Sequence, residues 1–153
     1  AGEVVPAALD PWLEDPFFAE RPPRSTGRER FGAAALEPWL ARFSRESDAD
    51  LLATLTELTA RTVAESYRFL GFEPDEVLLC GGGARNLELV RRIESRLPGC
   101  VVQRLESAGW NGDAREAAAF ALLARQHVLG FPCDLGWATG APGPRRLGKT
   151  TPA

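Results

Sequence analysis

Apolar side chains recur every three or four positions along one long stretch near the middle of the chain. Such a stripe is typical of a helix that buries one broad face. Ser47 or Asp48 can cap its start, and Gly71 stands where a terminating glycine usually lies. The stripe consists of Leu51, Leu55, Leu58, Thr62 and Phe69, widened by Leu52, Val63 and Tyr67. We therefore predict a long helix between residues 48 and 70.

A strand, a glycine loop, a helix and a second strand are predicted next. Residues 76–80 form a short apolar run, which favours a strand buried on both faces, as in parallel sheets. Residues 86–97 have a helical period that ends at Pro98, with Glu88 and Arg92 paired on the outer face. The inner face of this helix consists of Leu89, Val90, Ile93 and Leu97. A second strand over residues 100–105 completes a βαβ unit, whose crossover should be right-handed.

The last predicted helix is rich in alanine. It covers residues 113–129 and closes at Gly130, and the tail after residue 132 is a loop rich in glycine and proline. Small side chains allow such a helix to approach a neighbour closely. Its apolar face consists of Ala114, Ala117, Ala118, Ala119, Ala121 and Ala124 with Phe120, Leu123 and Val128.

Prolines break the first third of the chain into short pieces. Helical turns are predicted at residues 11–18 and 37–43, because proline is tolerated in a first helical turn. A polar loop over residues 22–29 separates them. We divide the chain into a proline-rich helical segment, residues 1–46, that borders a cleft, and a partial lobe, residues 47–153.

Only two strands are predicted, yet each helix has a large apolar face to cover. Two parallel strands make a poor sheet by themselves. We therefore expect an α/β protein with an incomplete, mostly parallel sheet flanked by helices, whose other strands lie elsewhere.

Composition excludes several classes of function. A chain of 153 residues with a net charge of -3 is one domain without the basic surface that non-specific nucleic-acid binding needs. No apolar run is long enough to cross a bilayer, and the start has no signal-peptide pattern. Cys80, Cys100 and Cys133 form no CxxC pair, which indicates thiols of a reducing compartment, the cytoplasm. His127 is the only histidine, so a zinc site or a Ser-His-Asp triad is not expected, and its position near a helix C-terminus suits the helix dipole.

The three glycines after the first strand are the main candidate for a ligand site. A tight turn needs one glycine, whereas three in succession allow a ligand to approach the backbone, beside the free N–H groups of a helix N-terminus. Asn86 can cap that helix or bind the ligand. The candidate nucleotide-contacting residues are Gly81, Gly82, Gly83, Ala84 and Asn86.

Two familiar glycine patterns are rejected. A dinucleotide fingerprint starting at Gly81 would need glycine at position 86, where Asn86 stands. Residues 143–150 match the P-loop pattern letter for letter, but no strand precedes them and only three residues follow. We therefore expect neither function.

Three further residues are candidates for the substrate side. Glu116 and Asp113 could form a capping box at the start of the last helix, or could face a cleft through the polar residues 109–113. Arg28, with Arg24 and Glu29, could contact an anionic ligand or form a solvated, ion-paired surface.

Taken in order, the motifs resemble the anhydro-N-acetylmuramic acid kinases. The resemblance covers nearly the whole chain through residues 23–31 (PRSTGRERF), 80–86 (CGGGARN), 112–124 (GDAREAAAFALLA), 139–141 (TGA) and 147–148 (LG). It implies the C-terminal lobe of an actin-like ATPase fold of the acetate and sugar kinase, heat-shock chaperone and actin superfamily. Such kinases use ATP and Mg²⁺ to open the anhydro ring with water and phosphorylate O6, in the recycling of bacterial peptidoglycan, and they suggest a homodimer.

On this resemblance, residues 81–86 contact the adenosine side of ATP, and Glu116 is a plausible sugar-side or water-side residue. The family's phosphate loop and catalytic aspartate match nothing here, so we expect no catalytic base and no metal ligand in this chain, and no kinase activity from it alone. Arg24 stands where lysine is expected. A non-catalytic nucleotide- or partner-binding module, or another sugar or acyl kinase of the superfamily, remains open.

Overall fold

The computed structural model describes residues 2–151. Seven α-helices and two strands follow one another within this range. Their bounds are α1 Pro6–Leu13, α2 Arg28–Phe31, α3 Ala33–Arg42, α4 Asp48–Ser66, β1 Glu76–Leu79, α5 Leu87–Arg96, β2 Val101–Arg104, α6 Arg115–Leu129 and α7 Gly136–Thr139. Single 3₁₀ turns lie at Pro16–Ala19, Tyr67–Phe69, Gly82–Arg85 and Leu105–Ala108. The protein is therefore mostly helical, with one two-stranded parallel sheet.

The helices of the first third are longer than the prolines predict. Pro11 and Pro38 lie inside α1 and α3 rather than at their starts. The two helices pack on each other, and the Trp39 indole Nε1 donates a hydrogen bond to the Ala8 carbonyl at 2.8 Å. This packing outweighs the local cost of an internal proline. The prediction of short turns at residues 11–18 and 37–43 was therefore wrong in extent, and α2 falls at the end of the predicted loop.

The core of the protein lies between this first third and α4. It is centred on Ala8, Trp39 and Leu51, all less than 9% exposed. Thr54 of α4 is fully buried, and its hydroxyl accepts a hydrogen bond from the Val5 amide at 2.9 Å. The predicted cap of α4 is confirmed at Ser47, whose side chain accepts from the Asp50 amide.

An acidic side chain joins α4 to α5. Glu57 is 7% exposed and accepts hydrogen bonds from Arg92, at 2.6 Å, and from Arg96. Arg92 also bonds Glu88, as predicted, but it lies against α4 and not on the outer face. Burial opposes ionisation of Glu57, but the two arginine hydrogen bonds outweigh it and hold the pKa below its ordinary value. The carboxylate therefore stays charged and fixes α5 on α4.

The two strands pair in parallel, with Val77 opposite Val102 and Leu79 opposite Arg104. Val77 is buried, whereas Leu78 is 38% and Val101 is 58% exposed. The prediction that β1 is buried on both faces was therefore wrong, because only one face of this sheet is covered among residues 2–151. The expected parallel pairing is confirmed, and no further strand pairs with either edge of this two-stranded sheet within residues 2–151.

α6 is covered by almost nothing. None of its residues is buried, and Phe120 and Val128 are 67% and 76% exposed. The chain exposes 10793 Å² in all, against about 7,600 Å² for a compact monomer of 16.6 kDa. The predicted helix is therefore present, but the neighbour that its alanine face needs is not among residues 2–151. None of the helices described in this range is long and apolar enough to cross a membrane.

Candidate functional site

Two loops meet at one edge of the sheet. Because β1 and β2 are parallel, their carboxyl ends lie side by side, and this edge is where open α/β sheets bind ligands. Residues 80–86 leave β1 there, and residues 105–114 leave β2. An ion pair between Arg85 and Asp113 joins the two loops. The structure thus brings the predicted nucleotide loop next to one of the predicted substrate-side residues.

The glycine loop is open on its outer side. Gly81 has φ 77° and ψ -170°, a backbone region that only glycine adopts readily. A Cβ atom built on Gly81 or Gly82 would meet nothing within 4 Å, and one on Gly83 would lie 3.6 Å from the Leu89 side chain. Only Gly81 needs to be glycine for its backbone conformation. Gly82 leaves empty space that a ligand could occupy.

Two backbone amides of the loop remain unpaired after its internal hydrogen bonds are formed. The Ala84 amide donates to the Gly81 carbonyl, and the Asn86 amide to the Gly83 carbonyl. The amides of Gly82 and Gly83 donate to no protein acceptor within residues 2–151. Adjacent free N–H groups before a helix are suited to an electronegative ligand atom.

The predicted helix after the loop begins with a cap. Asn86 Oδ1 accepts a hydrogen bond from the Leu89 amide at 3.1 Å, so the capping alternative for this residue is confirmed. The side-chain NH₂ of Asn86 has no partner within the described part of the chain and remains able to donate to a ligand.

α6 begins at Arg115 without a side-chain cap, which differs from the prediction. Asn111 Oδ1 accepts from the amides of Asp113, at 2.9 Å, and Ala114, at 3.3 Å. Asp113 is bound to Arg85 instead of capping the helix, so the capping box with Glu116 is wrong. Asn111 therefore stabilises the turn at residues 111–114 that precedes α6, and the first amides of α6 have no side-chain acceptor within residues 2–151. Glu116 is exposed in the first turn, and its carboxylate has no partner within residues 2–151.

Gly112 lies deep between the two loops. It is buried, its amide donates to Glu106 Oε1 at 3.3 Å, and a Cβ built on it would approach that oxygen to 2.8 Å and the Cys80 Cβ to 3.7 Å. The Glu106 carboxylate is the end of an exposed, flexible side chain, so a Cβ at this position would displace that carboxylate and its hydrogen bond to the Gly112 amide rather than the backbone of either loop.

One arginine that the sequence analysis did not single out also belongs to this edge. Arg104, the last residue of β2, donates from Nε to the Ala84 carbonyl at 3.0 Å. The sequence placed residues 100–105 on a strand, but its register against β1, which sets this contact, could not be read from the pattern.

Arg28 does not join the site. It is exposed at the start of α2, and no hydrogen bond or ion pair within residues 2–151 links it to the glycine loop. Arg24 is held structurally, because its Nη1 donates to the Phe17 carbonyl and its guanidinium lies 4.7 Å from the Phe17 ring centroid and 5.0 Å from that of Phe69. The loop that contains them lies beside α7, where a Cβ built on Gly140 would be 3.5 Å from Pro23.

The segment that matches the P-loop pattern has another structure. It runs along the end of α6, with Arg145 in an isolated antiparallel bridge to Cys133. His127 Nδ1 lies 2.7 Å from the Leu147 carbonyl and Nε2 lies 3.1 Å from Thr150 Oγ1. No strand before it and no helix after it occur within the described range. The rejection of the P-loop function agrees with this geometry.

An open cavity of about 540 Å³ lies at the other edge of the sheet, before the strands begin. It is lined by Tyr67, Pro74, Pro98 and Cys100 among others, and by none of the predicted site residues. Burial and the neighbouring Cys100 raise the pKa of Tyr67, so this phenol stays neutral. We place the candidate site at the glycine loop, because the free amides and the convergent polar groups are there.

No group of three or more potential metal ligands is present within residues 2–151. An all-protein Mg²⁺ site therefore does not fit the residues described.

Comparison with known proteins agrees with the order of the motifs. The family model for anhydro-N-acetylmuramic acid kinase matches residues 1–153. A protein of that name from Synechococcus elongatus is 46% identical over 151 residues, which cover 96% of this chain and 39% of the relative. Namesakes from Cupriavidus pinatubonensis and Xanthomonas campestris pv. campestris are each 44% identical, over 99% and 100% of this chain. The chain spans about 40% of the length of these relatives.

Proposed function

The chain belongs to the anhydro-N-acetylmuramic acid kinase family, and from this premise we propose that it supplies the nucleotide-side part of such a kinase. The reaction would take 1,6-anhydro-N-acetylmuramic acid, ATP and water. Water would add at C1 as the C1–O6 bond breaks, and O6 would take the γ-phosphoryl group, with release of ADP. The product, a 6-phosphosugar, would re-enter amino-sugar metabolism during peptidoglycan recycling in the cytoplasm.

The observation that carries this proposal is the glycine loop at the carboxyl edge of the sheet. Its unpaired Gly82 and Gly83 amides and the empty space over Gly82 suit a flat ligand lying against backbone. In the proposed complex, residues 81–84 and the Asn86 side chain contact the adenosine side of ATP. Asp113 and Glu116, on the neighbouring loop and helix, would face the sugar, and Arg28 would reach it only if the early loop moves towards the site.

We propose that a further lobe, supplied outside these 153 residues, completes an actin-like fold. The uncovered α6, the two-stranded sheet and an excess exposed area of roughly 3,200 Å² all support a missing neighbour. That lobe would provide the phosphate loop, the catalytic aspartate and the groups around Mg²⁺. When bound, Mg²⁺ would neutralise charge on the transferring phosphoryl group. The completed enzyme would form a homodimer.

Enzyme assays can test the proposal directly. The full gene product and the 153-residue chain are each incubated with ATP, Mg²⁺ and the anhydro-sugar, and release of ADP and of the 6-phosphosugar is measured. We expect turnover by the full product and none by the chain. Turnover by the chain alone would overturn the division of catalytic groups between two lobes.

The same assay separates the alternatives. A full gene product that binds ATP but turns over no sugar would favour a non-catalytic nucleotide-binding module. Turnover of another sugar or of an acyl acceptor, but not of the anhydro-sugar, would favour a different kinase of the superfamily.

A further inference from the structure

We propose that Arg104 is a positioning residue for the nucleotide loop, acting through the Ala84 carbonyl. The inference rests on the proposed function, since it concerns the loop assigned there to ATP. Arg104 would not itself touch the nucleotide. Its task is to hold the 3₁₀ turn Gly82–Arg85 in the conformation that turns the Gly82 and Gly83 amides outwards.

The Ala84 carbonyl needs an external donor. It lies where the 3₁₀ turn gives way to α5, and the turn's own bonds use the Gly81 and Gly83 carbonyls. Ala84 is 6% exposed, so water has little access to this residue. A buried carbonyl without a partner is costly. The hydrogen bond from Arg104 Nε, at 3.0 Å, is the one that the structure gives it within residues 2–151.

The register of the two strands places Arg104 beside the start of the glycine loop. Leu79, the last residue of β1, pairs with Arg104 in the parallel register, so the side chain leaves β2 beside the start of the glycine loop. The backbone of Arg104 is itself held, because Ser107 Oγ donates to its carbonyl at 2.5 Å. The hydrogen bond from Arg104 to Ala84 is therefore a tether that joins the end of a strand to a glycine-rich turn.

Within residues 2–151, one other side-chain contact joins the loop to a different element. Arg85 pairs with Asp113, but both side chains are about 65% exposed, and such pairs contribute little. Glycines at positions 81–83 give the unfastened loop many conformations. Removal of the Arg104 bond should thus raise the entropy that the loop loses when a ligand binds.

Nucleotide binding tests the inference with three variants of the full gene product. Arg104→Met keeps the aliphatic stem and removes the donor, and we expect adenosine, ADP and ATP each to bind about five- to twentyfold more weakly. Arg104→Lys can still donate to the carbonyl and should restore most of the affinity. Arg45→Met, an exposed arginine without a partner in residues 2–151, removes the same charge as a control and should leave affinity unchanged.

The three ligands distinguish positioning from contact. Equal losses for adenosine, ADP and ATP support a loop effect, whereas a loss confined to ADP and ATP would mean that Arg104 binds phosphate directly and would overturn the inference. In turnover, the KM for ATP should rise while kcat at saturating ATP stays within about twofold. A fall in kcat alone would also overturn it.

Hydrogen–deuterium exchange provides a readout that needs no ligand. The hydrogen-bonded amides of Ala84 and Asn86 should exchange faster in Arg104→Met than in the wild type, but not in Arg104→Lys or Arg45→Met. Unchanged exchange would refute the tether even if nucleotide binds. Conversely, faster exchange in Arg104→Met than in a wild type that itself binds no nucleotide would confirm the tether and overturn only the proposed function.

Discussion

A methyl group added at Gly82 should separate the stability of the glycine loop from its ability to bind. The φ angle of Gly82 is not positive, and a Cβ there meets nothing within 4 Å, so alanine fits the folded backbone. Gly-to-Ala changes at compatible sites raise the free energy of unfolding by about 0.4–1 kcal/mol, since the unfolded chain loses freedom. A nucleotide resting on this backbone would instead meet the new methyl group. Steric overlap costs about 1–3 kcal/mol, which weakens affinity from roughly fivefold to over a hundredfold.

Gly81→Ala is the matched control. At φ 77° and ψ -170°, Gly81 occupies a region almost closed to other residues, and alanine should lower the free energy of unfolding by about 1–3 kcal/mol. Urea unfolding and calorimetric titration with ATP, both on the full gene product, measure the two effects. We expect Gly82→Ala to be at least as stable as the wild type and to bind ATP weakly. If it binds ATP as tightly as the wild type, no ligand lies against this loop, and the assignment of residues 81–86 fails.

Three further predictions concern the packing around the site. Glu57→Gln should lower the free energy of unfolding, measured in urea, by about 3 kcal/mol, because it removes the buried charge that pairs with Arg92 and Arg96. The control Glu65→Gln, in an exposed pair, should change it by less than about 1 kcal/mol. Equal effects would contradict the structural role of Glu57. Hydrogen bonds from Arg91 and Arg92 lower the pKa of Glu88 from 4.5 to about 2, so the stability that Glu88 contributes should be complete above about pH 4.5 and be lost as the pH falls towards 2. In urea unfolding, the free energy of unfolding of Glu88→Gln should therefore fall less steeply with acid than that of the wild type. An identical fall would refute this. Phe120→Asp should change the free energy of unfolding of the chain by less than about 0.5 kcal/mol, since the ring is 67% exposed. It should, however, prevent co-purification with a separately expressed N-terminal segment, whereas the control Arg125→Ser should co-purify normally. Co-purification of both variants would mean that α6 is not the contact.

Local chemistry was enough to predict α4, β1, α5, β2 and α6, but not α7, which lies in the segment predicted as a loop. The glycine after α6, the Ser47 cap of α4 and the Asn86 cap of α5 were each identified from residue type and position. Each depends on neighbours within four residues, which the sequence shows directly. Rejection of the P-loop match also depended on neighbouring residues, because the sequence shows no strand pattern before residues 143–150 and no helical pattern after them.

Contacts between distant residues could not be predicted in the same way. Pro38 lies inside a helix because Trp39 packs on α1, a contact 31 residues away in the chain. Asp113 suits a cap by type, but Arg85 from another loop takes its carboxylate. Burial of β1 on both faces was inferred from its apolar residues alone. Such residues show that a strand can be buried, but not whether another element packs on each face. Arg104 was missed for the same reason, since a strand register is a property of two segments.

The bare surface of α6 also has a thermal consequence. Whatever covers Phe120 and its neighbours removes apolar area from water, and such burial lowers the heat capacity. Hydrophobic stabilisation weakens on cooling. The contact between this chain and the lobe proposed above should therefore weaken on cooling, and the assembly should dissociate in the cold before either part unfolds.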